Sequence, residues 1–375
     1  MKKPISLLLL TILLSACGLN SEKLPPQPTV TDQVAVDKVW SSHPVSGDTK
    51  QYNKFTPTLV NQEILLADDK GHLAAINKNT GENLWHLKNK QQFSSAPSYG
   101  ENKVYIGTAN AEVFALDNKN GKTLWKTTVS NQVIGKPAYG NGIVVVKTLD
   151  GKLVALNSVD GKQIWNYDEE NPELILKGES SPIIYEGKVL AGFPDGKLLV
   201  LNLADGSLVW EANVADSQGF SSLSRMIDIN ATPVISDGIV YIATYQGNIS
   251  AFDLNSGSRI WEHRLSAYSG LAVDAKDVYV TDASGVLWAF NKTRGNVDWK
   301  QTSFKKYMLS GPTVFHNYLV VGDNIGNVHV FAKSDGKILA QQKISTKPIY
   351  VSPLTDDKTV YLFSSDGRMT AIKIG

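Results

Sequence analysis

Few residues in this chain are spaced for chemistry, and the most distinctive of them is a single thiol. Cys17 is the only cysteine among 375 residues and follows Leu14-Ser15-Ala16 directly. A lone cysteine supplies no disulfide framework. Behind an apolar run and two small residues, its sulfur is placed instead for a thioether link to a diacylglycerol. The six histidines (His43, His72, His86, His263, His316, His329) show no H-E-x-x-H or other close metal-ligand spacing. No G-x-S-x-G nucleophile elbow and no G-x-x-x-x-G-K phosphate loop occurs. Ser303 and Lys306 have an S-x-x-K spacing, but the companion motifs are missing, so chance accounts for it. Acidic residues are scattered mostly through turns, with no compact oxygen-ligand loop for calcium. The pattern supplies no catalytic, cofactor or metal residues.

The element that positions Cys17 is a leader. Lys2 and Lys3 form a positive start, and Leu7 to Leu14 form an apolar stretch too short to span a bilayer. Residues 1–16 are therefore expected to be removed as a signal peptide, since Leu14-Ser15-Ala16-Cys17 resembles the lipobox of bacterial lipoproteins. Three acyl chains on Cys17, at roughly 0.8 kcal/mol per buried CH₂, make an essentially permanent anchor. Gly18, where an aspartate commonly retains such proteins in the inner membrane, favours the periplasmic face of the outer membrane. Residues 17–35, with Pro25, Pro26 and Pro28 among polar residues, read as the lipidated cysteine and a flexible tether. The formal charge of +1 becomes −1 without Lys2 and Lys3. That balance suggests no nucleic-acid partner, which would call for a basic face.

The rest of the chain is a repeat of roughly forty residues, the signature of a propeller, solenoid or array. Clear copies are VFALDNKNGKTLW (Val113 to Trp125), LVALNSVDGKQIW (Leu153 to Trp165) and LLVLNLADGSLVW (Leu198 to Trp210). ISAFDLNSGSRIW (Ile249 to Trp261) and LWAFNKTRGNVDW (Leu287 to Trp299) follow. A second marker keeps the same beat: Pro57, Pro97, Pro137, Pro182, Pro233, Pro312 and Pro353, with Gly270-Leu271 in the one vacant slot. Each marker is followed by a short apolar strand such as Val104-Tyr105-Ile106. Eight markers and eight strands predict eight repeats of four strands. The glycine four residues before each tryptophan suits a tight turn between strands three and four. The expected fold is all-β, an eight-bladed propeller of four-stranded antiparallel blades over residues 36–375. The eighth repeat stops at Gly375 without its tryptophan strand, while Val36 to Ser42 offers a spare strand with Trp40. Pairing the two closes the ring and removes exposed edges. The seventh repeat carries Ala340 in place of tryptophan.

Loop lengths single out one face. Trp85 to Pro97 and Trp125 to Pro137 are each 12 residues apart, whereas Trp165 to Pro182 is 17 and Trp210 to Pro233 is 23. Both longer connections join a fourth strand to the next blade, so they emerge on the same face at neighbouring blades. They mix apolar residues (Leu174, Ile175, Leu176, Leu223, Met226, Ile227) with charges (Lys177, Glu179, Arg225, Asp228). An apolar centre with a charged rim suits a protein-binding patch, although the same residues could simply fold back and cap the blades.

The phrase A-[LF]-[DN]-x-x-x-G-x-x-x-W resembles the tryptophan-docking repeat of the PQQ-dependent dehydrogenases and their non-enzymatic relatives. With the lipobox and eight repeats, residues 17–375 are similar to the BamB family, propeller lipoproteins of the outer-membrane β-barrel assembly machinery. The segments Leu174 to Ser180 and Arg225 to Pro233 are similar to that family's partner-binding loops. The resemblance implies a non-enzymatic scaffold whose loops dock onto the POTRA domains of the barrel-inserting subunit BamA, through Leu174, Leu176, Lys177, Arg225, Asp228 and Asn230. Lys177 stands where arginine is usual and loses the bidentate fork, and Asn230 replaces an acid. Nascent outer-membrane proteins are further partners the resemblance allows, held by strand pairing at a sheet edge.

Two other functions fit a propeller. A PQQ-dependent dehydrogenase would need a calcium-held quinone, a catalytic aspartate and, in the alcohol dehydrogenases, a vicinal cysteine pair that is missing here. A glycan-binding propeller would need an aromatic platform. Trp288 lies outside the repeat position and is the one candidate for it.

Overall fold

The computed structural model describes residues 24–47, 55–170, 180–215 and 227–375. The described chain forms eight four-stranded sheets. Seven are meanders in chain order; blade one, for example, runs Thr58–Val60, Glu63–Ala67, His72–Asn77 and Asn83–Lys88. In the eighth, Leu354–Thr355, Val360–Phe363 and Met369–Ile374 are completed by the N-terminal strand Val36–Ser42. That strand pairs antiparallel with the last one, Val36 opposite Ile374 and Ser42 opposite Met369, with one bulge between Lys38 and Trp40. The expected composite blade is present.

Burial explains why the strands differ in pattern. The second and third strands are covered by a neighbouring blade on both faces, so Ile64, Leu65 and Leu66 are all fully buried and read as an unbroken apolar run. The outer fourth strand alternates instead: Leu124 is 52% exposed and Trp125 only 8%.

The repeated phrase is a docking device between blades. At Asn157 the side-chain Oδ1 accepts the Val159 amide at 2.8 Å while the Gly161 amide bonds back to the Asn157 carbonyl at 2.9 Å. This closes the turn and gives Gly161 a φ of +72°. A Cβ on Gly161 would lie 2.6 Å from the indole of Trp125, one blade earlier. The Trp125 indole N–H donates to the Ser158 carbonyl of that same turn at 3.0 Å. The arrangement recurs from Trp40 to Lys78, Trp85 to Asn118, Trp165 to Leu203, Trp210 to Leu254, Trp261 to Lys292 and Trp299 to Lys333. Ala340 now has a physical reason. The blade after it is the composite one, whose third and fourth strands come from opposite chain ends and leave no turn for an indole to meet.

One expectation needs correction. Residues 24–35 do not hang free as a tether. The Tyr307 hydroxyl donates to the Pro25 carbonyl at 2.6 Å, and the Gln33 amide donates to Leu339 of blade seven at 2.7 Å. Prolines lack an N–H and favour extended backbone, so they are compatible with a strap laid along a sheet as well as with a loose linker. The signal peptide and Cys17 lie outside the described residues.

Two substitutions test the docking device. Trp165→Ala should cost about 3–5 kcal/mol in a urea unfolding titration. Ala340→Trp, which restores the repeat, should also destabilise, by about 1–3 kcal/mol, because Ala340 is fully buried and no receiving turn faces it.

Candidate partner-binding face

A meander fixes which ends of the strands share a face. The inter-blade connections and the turns between strands two and three lie on one side of the ring, and the other two turns of each blade lie on the opposite side. The two long connections therefore share a face, as expected from their spacing. Of the six proposed partner-binding residues, Leu174, Leu176, Lys177 and Arg225 lie outside the described residues. Asp228 and Asn230 are described, at the root of the second connection.

Neither is an exposed polar contact. Asp228 is 2% exposed, and neither carboxylate oxygen has a hydrogen-bond partner among the described residues. Asn230 is half-buried and lines the central channel. The neighbouring Ile227 and Ile229 are buried too, so Ile227 belongs to the core and not to an exposed apolar patch. Ile229 fits against blade four because residue 192 is glycine; a Cβ there would lie 2.2 Å from the isoleucine side chain. The Ile229 amide donates to Phe193 at 3.4 Å, and Ser180 Oγ of the first connection donates to the Ala231 carbonyl of the second at 3.3 Å. The described part of this loop thus folds back onto the blades.

Beside Asp228 stands a residue that the sequence reading passed over. Lys147 is the last residue but one of the second strand of blade three, is 2% exposed, and donates its ammonium to the Gly192 carbonyl. The ammonium also lies 4.9 Å from the Phe193 ring centroid, a cation–π distance. Burial pulls Lys147 down to about 8, against the attraction of Asp228 and Asp195. Burial pushes the Asp228 carboxyl up to about 7, with Lys147 opposing and Asp195 adding to the rise. Aligning the repeats would have exposed Lys147, because the equivalent positions hold Ala67, Gly107, Gly192, Ala243, Thr281, Gly322 and Phe363. Lys136 likewise stands alone where other blades place Thr56, Ala96, Ser181, Thr232, Gly311 and Ser352 before the inner strand.

The whole length of the chain bears on what this face belongs to. Residues 69–301 and 299–375 match the family model described as outer membrane protein assembly factor BamB. The chain is 38% identical to the BamB of Legionella pneumophila (strain Paris), across 100% of both proteins. This chain belongs to the BamB family. It is 40% identical to the BamB of Pseudomonas aeruginosa over 99% of each chain, and 31% identical to that of Escherichia coli K12 over 97% of each. Among solved structures, BamB from Moraxella catarrhalis superposes with a TM-score of 0.83 at 22% identity, over 90% of this chain and 100% of that one. The quinohemoprotein alcohol dehydrogenase of Comamonas testosteroni shares the fold at 0.71 and 12% identity, over 90% of this chain and 76% of that one.

The dehydrogenase likeness raises the question of a quinone site. The channel cavity of about 380 Å³ is lined by hydroxyls, Asn230, Tyr268 and Lys136, with no carboxylate among the described lining residues. Burial lowers the Lys136 ammonium to about 8. No three described His, Cys, Asp or Glu side chains come together as a metal site. The residues around the channel do not fit a calcium-held quinone. Trp288 is also no free aromatic platform: its N–H donates to Asp282 at 2.8 Å, and it stacks on Phe290 with centroids 5.8 Å apart.

The buried charges make a pH prediction. The unfolded Asp228 carboxyl titrates near 4, so between about pH 4 and 7 this group binds more proton in the folded chain than in the unfolded one, and its contribution to stability falls as pH rises. Asp228→Asn removes this loss. In urea titrations from pH 4 to 7, the variant should gain stability relative to the parent with each step upward. A constant difference would place Asp228 in contact with water.

Proposed function

We propose that this chain is a lipid-anchored, non-enzymatic scaffold on the periplasmic side of the outer membrane, assisting the assembly of β-barrel proteins by binding the POTRA domains of BamA. The observation that carries the reading is end-to-end similarity to proteins named as outer membrane assembly factors, 38% identity over the full length of both chains in one case. Cys17, behind its signal sequence, is the attachment point for the lipid.

The two long connections are the proposed docking loops. Leu174 and Leu176 supply the apolar contact, with Lys177 and Arg225 as rim charges. Asp228 and Asn230 act from behind this surface. Asp228, buried beside Lys147, shapes the loop root, and Asn230 faces the channel. Two features support this division: the two long connections emerge at neighbouring blades of one face, and Ser180 and Ala231 tie the loop roots together. A small apolar cluster with charged surroundings is the usual hot-spot arrangement.

The test is a detergent pull-down of the lipidated protein from outer membranes. The parent should recover BamA. Leu174→Ala/Leu176→Ala should reduce recovery at least tenfold, about 1.4 kcal/mol, with an unchanged urea midpoint. Undiminished recovery would remove these leucines from the interface. Recovery of no barrel-assembly component by the parent would overturn the function itself.

A further inference from the structure

The strap formed by residues 24–35 is seated on one blade by a polar lock. The side chain of Gln27 reaches the turn between strands two and three of blade seven. Its amide nitrogen donates to Asp323 Oδ2 at 2.6 Å, and its oxygen accepts from Asn327 at 2.8 Å and from Gln341 at 2.7 Å. Asp323 is fully buried. Its other oxygen accepts the amides of Ile325 and Asn327 at 3.0 and 2.8 Å, and its Oδ2 also meets His329 Nε2 at 2.9 Å. Gln27 thus contacts a carboxylate that the fold already holds rigidly. Further along, the Gln341 amide donates to Asp32 at 3.2 Å and the Gln33 amide donates to Leu339 at 2.7 Å. These two bonds satisfy backbone groups on the outer edge of blade seven, the blade that has no docking tryptophan. The chain then enters the closing strand at Val36.

The lock changes the reach of the anchor. A linker free from Cys17 to Val36 has nineteen steps and extends about 65 Å, at roughly 3.4 Å per residue. With the strap seated, only the seven steps from Cys17 to Leu24 remain, about 25 Å at most. Tyr307, which holds Pro25, lies in an inter-blade connection, and the turn that Gln27 contacts lies on the same face. Blade seven is about two and a half to three and a half blades around the ring from the long connections, which join blades three, four and five. We propose that the seated strap makes the rim at blades six and seven the membrane-proximal edge of the propeller, holding the docking loops, two to three blades further round the same face, away from the lipid surface. This inference rests on lipidation of Cys17.

The experiment uses the full-length lipidated protein on phospholipid vesicles containing a headgroup nitroxide lipid. A fluorophore is placed through Lys305→Cys, exposed between blades six and seven, or Asn131→Cys, exposed between blades two and three. Acylated Cys17 carries no free thiol, so each introduced cysteine is the labelled one. Quenching at residue 305 should exceed that at residue 131 at least threefold. Gln27→Ala/Gln33→Pro, which removes the side-chain lock and one strap N–H, should bring the ratio toward one while vesicle binding is retained. Equal quenching with the native strap, or an unchanged ratio in the double variant, would overturn the proposal. A protein that fails to float with vesicles would overturn the lipid anchor first, before quenching is read. BamA recovery separately reports the docking loops, so the two failures stay distinguishable.

Discussion

Everything in this molecule depends on an indole meeting a glycine one blade away. The ring has no covalent closure and, with one cysteine, no disulfide to brace it. Its blades hold together because each docking tryptophan fills the space above a left-handed glycine turn and donates to a carbonyl of the same turn. The contact is apolar and directional at once, so it fixes spacing and angle between blades as well as binding them. The loops project from a frame with little freedom to adjust, which preorganises any surface they form.

Much of this frame was legible in the chain because its constraints are local and repeated. The glycine, the Asp or Asn that closes the turn, and the tryptophan recur at fixed spacing, and so do the proline markers. The absence of tryptophan at Ala340 had no explanation until blade topology removed its docking partner. The segment from Pro25 to Gln33 misled because proline-rich polar sequence suits both a loose linker and an extended strap. Only the buried Asp323, contributed by a turn almost three hundred residues later, decides between them.

The candidate face was legible as two long connections, and the burial of its root residues was not. Connection lengths placed it, since insertions in a regular repeat stand out against their neighbours. The environments of Asp228 and Ile227 were not visible, because alternation of apolar and charged residues looks the same in an exposed patch and in a loop that folds inward. The close approach at Gly192 and the buried Lys147 draw this stretch into the core. A carboxylate and an ammonium placed near each other out of water gain attraction but lose hydration, so they add little net stability.

The composite blade also has a consequence in time. Val36 and Ile374 pair as neighbours although nearly the whole chain separates them. A polypeptide made from its N-terminus presents that first strand long before its mate arrives. Seven blades can stack progressively, each against the last, but the ring itself cannot close until the final residues emerge. Until then two sheet edges stay open, one of them on the strand Val36–Ser42. Maturation of this scaffold is therefore a last-step, all-or-none event, and for that interval an assembly factor for β-proteins carries the same unpaired strands as the proteins it serves.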